Sequence, residues 1–157
     1  MKLFLDTSAL AKRYIQEPGS EELEELFLSS ASDVIVSTLA LPEFAAALER
    51  KMGDKEIGKR AATKAMKELE QDWNNLFIKI PITDSVALAA ASLAIKYPLK
   101  GADAVHLAAA VAAGVSLFVA SDQQLIKICT KLDIKSYDPS AGKWRGKRGK
   151  IKQRNRK

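Results

Sequence analysis

Most of the 19 acidic residues stand among other charges, as in Glu21-Glu22-Leu23-Glu24-Glu25 and Glu68-Leu69-Glu70-Gln71-Asp72, the composition of a solvated helix face. Four do not. Asp6 ends the run Leu3-Phe4-Leu5. Glu43 is the sole charge between Leu39 and Leu48, and Asp103 is the sole acid between Gly101 and Ala108. Asp122 follows Leu117-Phe118-Val119-Ala120-Ser121. A carboxylate set against apolar chain is costly unless something compensates it. Four of them gathered together would repel one another and could not all stay ionised without a cation. Ligation by oxygen alone selects a hard ion, so Mg²⁺ or Mn²⁺ is the expected occupant. Such ions suit phosphoryl chemistry, where they activate water and neutralise charge that builds on a phosphate during in-line displacement.

These acids gather only if the elements carrying them do. Short apolar runs at residues 2–5, 34–37, 77–80, 117–120 and 134–137 read as strands. Between them, helical spacing covers residues 8–16, 20–29, 39–51, 54–72, 84–96, 102–113 and 122–131, with Ser20 and Asp84 suiting helix starts. Strands alternating with helices imply an α/β domain of three layers, a largely parallel sheet covered on both faces. Ligands of open parallel sheets bind beyond the carboxyl ends of the strands. Asp6 and Asp122 lie at the carboxyl ends of the first and fourth strands. Glu43 falls in the first turns of the helix leaving the second strand, and Asp103 begins a helix that runs back toward the fourth. All four are expected at one edge.

The rest of the composition narrows the options. With 157 residues, 47% apolar and 28% charged, the chain fits one domain with a sizeable core. Cys129 and His106 are the only cysteine and histidine, which excludes an internal disulfide and argues against a structural zinc site. Cysteine usage fits a reducing cytoplasm. No apolar stretch reaches the roughly 20 residues of a membrane span. Of the 25 lysines and arginines, nine fall in residues 143–157, which hold no acid; the other 16 face 19 acids, so residues 1–142 carry a net −3. The chain therefore divides into a mildly acidic domain, residues 1–140, and a basic tail, residues 141–157, expected to be disordered. The tail also reads as an RNA-binding arm, with Trp144 available to stack on a base.

Asp6-Thr7-Ser8-Ala9-Leu10 after the first strand resembles the opening of PIN-domain nucleases. The resemblance continues through Ser37-Thr38-Leu39-Ala40-Leu41-Pro42-Glu43, Lys100-Gly101-Ala102-Asp103-Ala104-Val105-His106-Leu107-Ala108 and Val119-Ala120-Ser121-Asp122-Gln123-Gln124-Leu125. It covers roughly residues 1–138 and is nearest to the VapC toxins of bacterial and archaeal toxin–antitoxin pairs. It implies a five-stranded parallel sheet in the order 3-2-1-4-5, in which Asp6 and Asp122 face each other across the switch point. It also implies a Mg²⁺- or Mn²⁺-dependent endoribonuclease with Asp6, Glu43, Asp103 and Asp122 as the acidic quartet, a VapB-like antitoxin partner whose arginine enters the acidic site, and a homodimer. Ser8 resembles the polar residue that accompanies the first acid. Where the family often carries Thr or Ser two positions before the last acid, this chain has Ala120, with Ser121 one position before it.

Each acid also has a structural reading. Asp6 could end its strand in an Asx turn, Asp122 could cap its helix, and Glu43 and Asp103 could sit on helix dipoles. Asp84 and Asp138 read as caps, and Asp33 lies at the opposite end of its strand. His106, three residues after Asp103 on one helix face, reads as a packed or hydrogen-bonded histidine, and Cys129 as core. Two other functions compete with the toxin: a PIN ribonuclease of RNA maturation or decay without an antitoxin, and a non-catalytic nucleic-acid-binding module that uses the basic tail.

Overall fold

The computed structural model describes residues 1–145. Its element order is β1 (Lys2–Leu5), α1 (Thr7–Tyr14), α2 (Ser20–Ser30), β2 (Asp33–Ser37), α3 (Ala40–Gly53), α4 (Lys59–Asn75), β3 (Phe77–Ile80), α5 (Asp84–Lys96), α6 (Gly101–Ala113), β4 (Leu117–Val119), α7 (Gln123–Lys131) and β5 (Ser136–Tyr137), closed by a 3-10 turn, Pro139–Ala141. The strands form one sheet in the order β3-β2-β1-β4-β5, and every pairing is parallel.

Period-two alternation along the central strands divides the interior in two. Leu3 and Leu5 of β1, Val34 and Val36 of β2, and Leu117 and Val119 of β4 face a core completed by Leu10, Leu23, Leu26, Phe44, Leu48 and Leu69 from α1–α4. Phe4, Ile35 and Phe118 face the opposite way, onto Val86, Leu107, Leu125, Ile128 and Cys129 from α5–α7. Phe4 stacks on Phe118 with ring centroids 5.3 Å apart. Because both faces are covered, the middle strands can be apolar at every position, as the sequence pattern requires.

Local departures from the expected elements have local causes. Helix α4 starts at Lys59, not at residue 54, because the chain turns after Gly53 with Lys55 in the left-handed region at φ 58°. Thr83, not Asp84, caps α5, accepting from the Val86 amide, and Asp84 sits in the first turn. Strand β5 shrinks to Ser136–Tyr137 after Asp133 adopts φ 56°. Gly19 precedes α2 at φ 96°, and a Cβ there would stand 2.7 Å from the Ser140 nitrogen, so only glycine permits this closeness between the start of α2 and the C-terminal turn.

The expected break near residues 140–142 does not release the chain at once. Tyr137 OH donates to the Gly142 carbonyl at 2.7 Å, and the Trp144 indole meets the Tyr137 ring edge-on at 5.2 Å between centroids. Trp144 is thus partly buried against the body of the domain. The remainder of the basic segment, residues 146–157, lies outside the described residues. Among the described residues no helix is long and apolar enough to cross a membrane.

Candidate active site

Three helix starts and one strand end converge where β1 and β4 emerge. β1 ends at Leu5, and Asp6 holds to the neighbouring strand through its amide, which donates to Val119 O at 3.1 Å. Asp6 is only 4% exposed. Its side chain caps α1: Oδ1 accepts from the Ala9 amide at 2.8 Å. Ser8 Oγ donates to both carboxylate oxygens, at 2.7 and 2.9 Å. Ser8 Oγ in turn accepts from the Ser121 amide at 3.0 Å, a bond that ties the corner after β1 to the corner after β4. Ser121 thus contributes its backbone, while its own hydroxyl is buried without a partner among the described residues.

Asp122 begins α7 and caps it, Oδ1 accepting from the Leu125 amide at 2.9 Å. Glu43 lies in the first turn of α3. Its Oε1 accepts from Thr7 Oγ1 at 2.6 Å and from His106 Nε2. Asp103 lies in the first turn of α6. The cap reading of Asp122 holds and Asp6 also proves to be a helix cap; both coexist with convergence, because helix starts gather at the carboxyl edge of a parallel sheet.

Electrostatics shows how closely the acids gather. Burial pushes the Asp6 carboxyl up to about 6, against donors from Ala9 and Ser8, and the Asp103 charge adds to the rise. Burial likewise raises Asp103, and the charges of Asp122 and Glu43 raise it further. Asp103 is thus coupled electrostatically to Asp122, Glu43 and Asp6. Glu43 goes the other way: burial would raise it, but the hydrogen bonds from His106 and Thr7 outweigh that and hold it below the usual carboxylate range.

The donor set, four carboxylates and no sulfur, fits a hard divalent ion; burial is the main cause that raises Asp6 and Asp103, and their acidic neighbours add to it. Among the described residues, no three His, Cys, Asp or Glu side chains stand in ion-holding geometry. Asp6 and Asp122 instead each turn an oxygen to a helix amide, and Glu43 turns Oε1 to His106. Asp33, at the start of β2, lies at the opposite end of the sheet. Asp138 caps the C-terminal turn through the Ser140 amide at 2.9 Å.

Sequence reasoning missed Thr7; it read His106 as packed or hydrogen-bonded, as found, without naming its partner. Thr7 lay inside the Asp-Thr-Ser string without an assigned partner. The pairing of His106 with Glu43 joins residues 63 positions apart and has no local signal.

Comparison with known proteins agrees with this geometry. The family profile described as PIN domain matches residues 3–131. The chain is 31% identical over 115 residues to Ribonuclease VapC45 of Mycobacterium tuberculosis (strain CDC 1551 / Oshkosh), covering 71% of this chain and 76% of that one. Among solved structures it is similar to Mycobacterium tuberculosis VapC20, described as a Sarcin-Ricin loop cleaving toxin, with TM-score 0.65 and 20% identity over 80% of this chain and 94% of that one. It is also similar to a toxin-antitoxin complex from Klebsiella pneumoniae, with TM-score 0.63 and 15% identity, covering 87% of this chain and 97% of that one.

Proposed function

The chain belongs to the PIN-domain family, and from that premise we propose that it is an endoribonuclease that hydrolyses RNA phosphodiesters, the toxin of a toxin–antitoxin pair. The observation that carries this reading is geometric: Asp6 and Asp122 cap the helices that leave the tied corners after β1 and β4, and Glu43 and Asp103 lie in the first turns of α3 and α6, all at the carboxyl edge of a parallel sheet. Asp6, Glu43, Asp103 and Asp122 would hold Mg²⁺ or Mn²⁺. When bound, such an ion supplies a Lewis acid that activates water and offsets phosphate charge.

The protein's own residues do the rest. Ser8 orients Asp6 by donating to both of its oxygens. The Ala9 and Leu125 amides hold one oxygen each of Asp6 and Asp122. The other oxygen of Asp122 and the whole Asp103 carboxylate take no hydrogen bond among the described residues, so they remain able to ligate. An acidic cleft repels the RNA backbone until its charge is offset, so a bound cation would serve substrate entry as well as chemistry.

The reading includes an antitoxin partner, whose arginine would neutralise the same acids by paired hydrogen bonds. It also includes a homodimer. Leu88 and Ile95 on α5 and Val111 on α6 are apolar and exposed, the kind of surface that association covers. The cytoplasm is the compartment this assignment requires.

The test is direct. Purified protein should cut single-stranded or loop RNA with Mg²⁺ or Mn²⁺ and stop when a chelator is added. Full activity of Asp103→Asn under the same conditions would reject the assigned site.

A further inference from the structure

Glu43 and Asp103 ride on different helices, and one imidazole links them. His106 follows Asp103 by one turn of α6, on the same face, and is 2% exposed. Its Nε2 meets Glu43 Oε1. A carboxylate oxygen only accepts, so Nε2 carries the hydrogen whichever charge state the ring is in. Thr7 Oγ1 donates to the same oxygen at 2.6 Å and lies 3.1 Å from Nε2. Oε1 is thus held by two donors, while Oε2 takes no hydrogen bond among the described residues. The ring is fixed from behind by an edge contact with Phe4, centroids 6.2 Å apart.

The opposite ring nitrogen shows that packing alone does not account for this histidine. Nδ1 is buried with no partner among the described residues. A buried polar atom without a hydrogen bond is a cost that an apolar side chain of similar size would avoid. What the imidazole offers and leucine lacks is the Nε2 contact with Glu43.

We propose that His106 is a positioning residue of the acidic site: together with Thr7 it fixes Glu43 through Oε1, leaves Oε2 as the ligating oxygen, and locks α3 to α6 so that Glu43 and Asp103 keep their separation before a cation arrives. This rests on the acidic group being the divalent-ion site proposed above. Histidine acts here through its reach. Gln at 106 carries an amide nitrogen near the place of Nε2, whereas Asn carries one only near the place of Nδ1, too short to touch Glu43.

The experiment measures Mn²⁺ binding to the purified full-length chain by the electron paramagnetic resonance signal of the free ion, with circular dichroism to confirm folding. His106→Leu and His106→Asn should each weaken Mn²⁺ binding by about tenfold or more, the usual effect of losing a partner that orients a ligand. His106→Gln should stay within about threefold of wild type, a rescue that a space-filling role would not produce. In a Glu43→Gln background, His106→Leu should weaken binding no further, because the two act as one unit. Wild-type affinity in both His106→Leu and His106→Asn would overturn the proposal, as would an undiminished effect in the Glu43→Gln background. If the leucine variant does not fold, the Asn and Gln pair decides the matter alone. Should Asp103→Asn bind Mn²⁺ as well as wild type does, the site itself is wrongly assigned and the role of His106 falls with it. Loss of binding in Asp103→Asn with unchanged binding in the His106 variants rejects only the positioning role.

Discussion

Asp6 and Asp72 are both acids set against the body of the protein, and the fold treats them in opposite ways. Asp72, late in α4, receives Arg13 Nε at 2.8 Å and Tyr14 OH at 2.8 Å. Arg13 also reaches Glu24 at 3.2 Å. Burial alone would lower Arg13, but Asp72 more than reverses this, and the Tyr14 hydroxyl is raised by burial and by the same carboxylate. Asp6 has amide and hydroxyl donors but no ion pair among the described residues, and the Asp103 charge adds to the rise that burial causes. A carboxylate that the chain supplies with a cation is part of the architecture. Carboxylates left without one, gathered at one edge with Asp6 buried among them, mark a place where positive charge comes from outside.

This contrast can be broken at four points. The largest effect belongs to RNA cleavage: Asp103→Asn should lower the rate by at least about 100-fold, whereas Asp72→Asn should leave the rate per folded molecule within about twofold. A cleavage time course on a stem-loop RNA with Mn²⁺ separates them, and equal losses would erase the distinction between the regions.

Stability should respond with opposite signs. Asp72→Asn strips a half-buried arginine of its carboxylate and should cost about 2 kcal/mol in urea unfolding. Asp6→Asn keeps an oxygen to cap α1 and removes a charge that burial disfavours, so in chelator-treated buffer at pH 7 it should stabilise by about 1–2 kcal/mol. The folded protein holds the Asp6 proton up to about pH 6, above the ordinary value of 3.8. Ionisation of Asp6 therefore opposes folding fully above about pH 6, and the opposition fades as the pH falls toward 4. The gain from Asp6→Asn should shrink over that window; a gain that grows toward acid would show that the burial cost has been misjudged. The smallest effect sharpens what pairing means. Lys51 and Glu56 sit 2.9 Å apart in a largely exposed pair, and Glu56→Ala should change stability by less than about 0.5 kcal/mol.

The sequence makes the acids legible through contrast. Asp6, Glu43, Asp103 and Asp122 stand out because apolar residues surround them, and the alternation of strands and helices already directs them to one edge. The central strands β1, β2 and β4 are legible for a related reason, since a strand covered on both faces carries no charge along its buried length. What escapes is long-range or conformational. The Thr7–Glu43–His106 contact joins three elements by side chains that look ordinary in their own segments. Thr83 wins the cap over Asp84 because the chain stays extended through residue 83, a difference of one position that composition does not fix. The turn that delays α4 depends on Lys55 accepting a left-handed backbone that glycine usually takes. Trp144 was read with its basic neighbours, yet it packs by shape against Tyr137.

The order β3-β2-β1-β4-β5 has a consequence for synthesis. β1 pairs with β2 as soon as both have left the ribosome, but its other flank stays open until β4 is made. Asp6 gains its Val119 and Ser121 neighbours, and Asp103 its Asp122 neighbour, only then. A half-translated chain thus carries Asp6 and Glu43 alone, and a fragment that stops before β4 lacks both Asp122 and the strand that completes the corner.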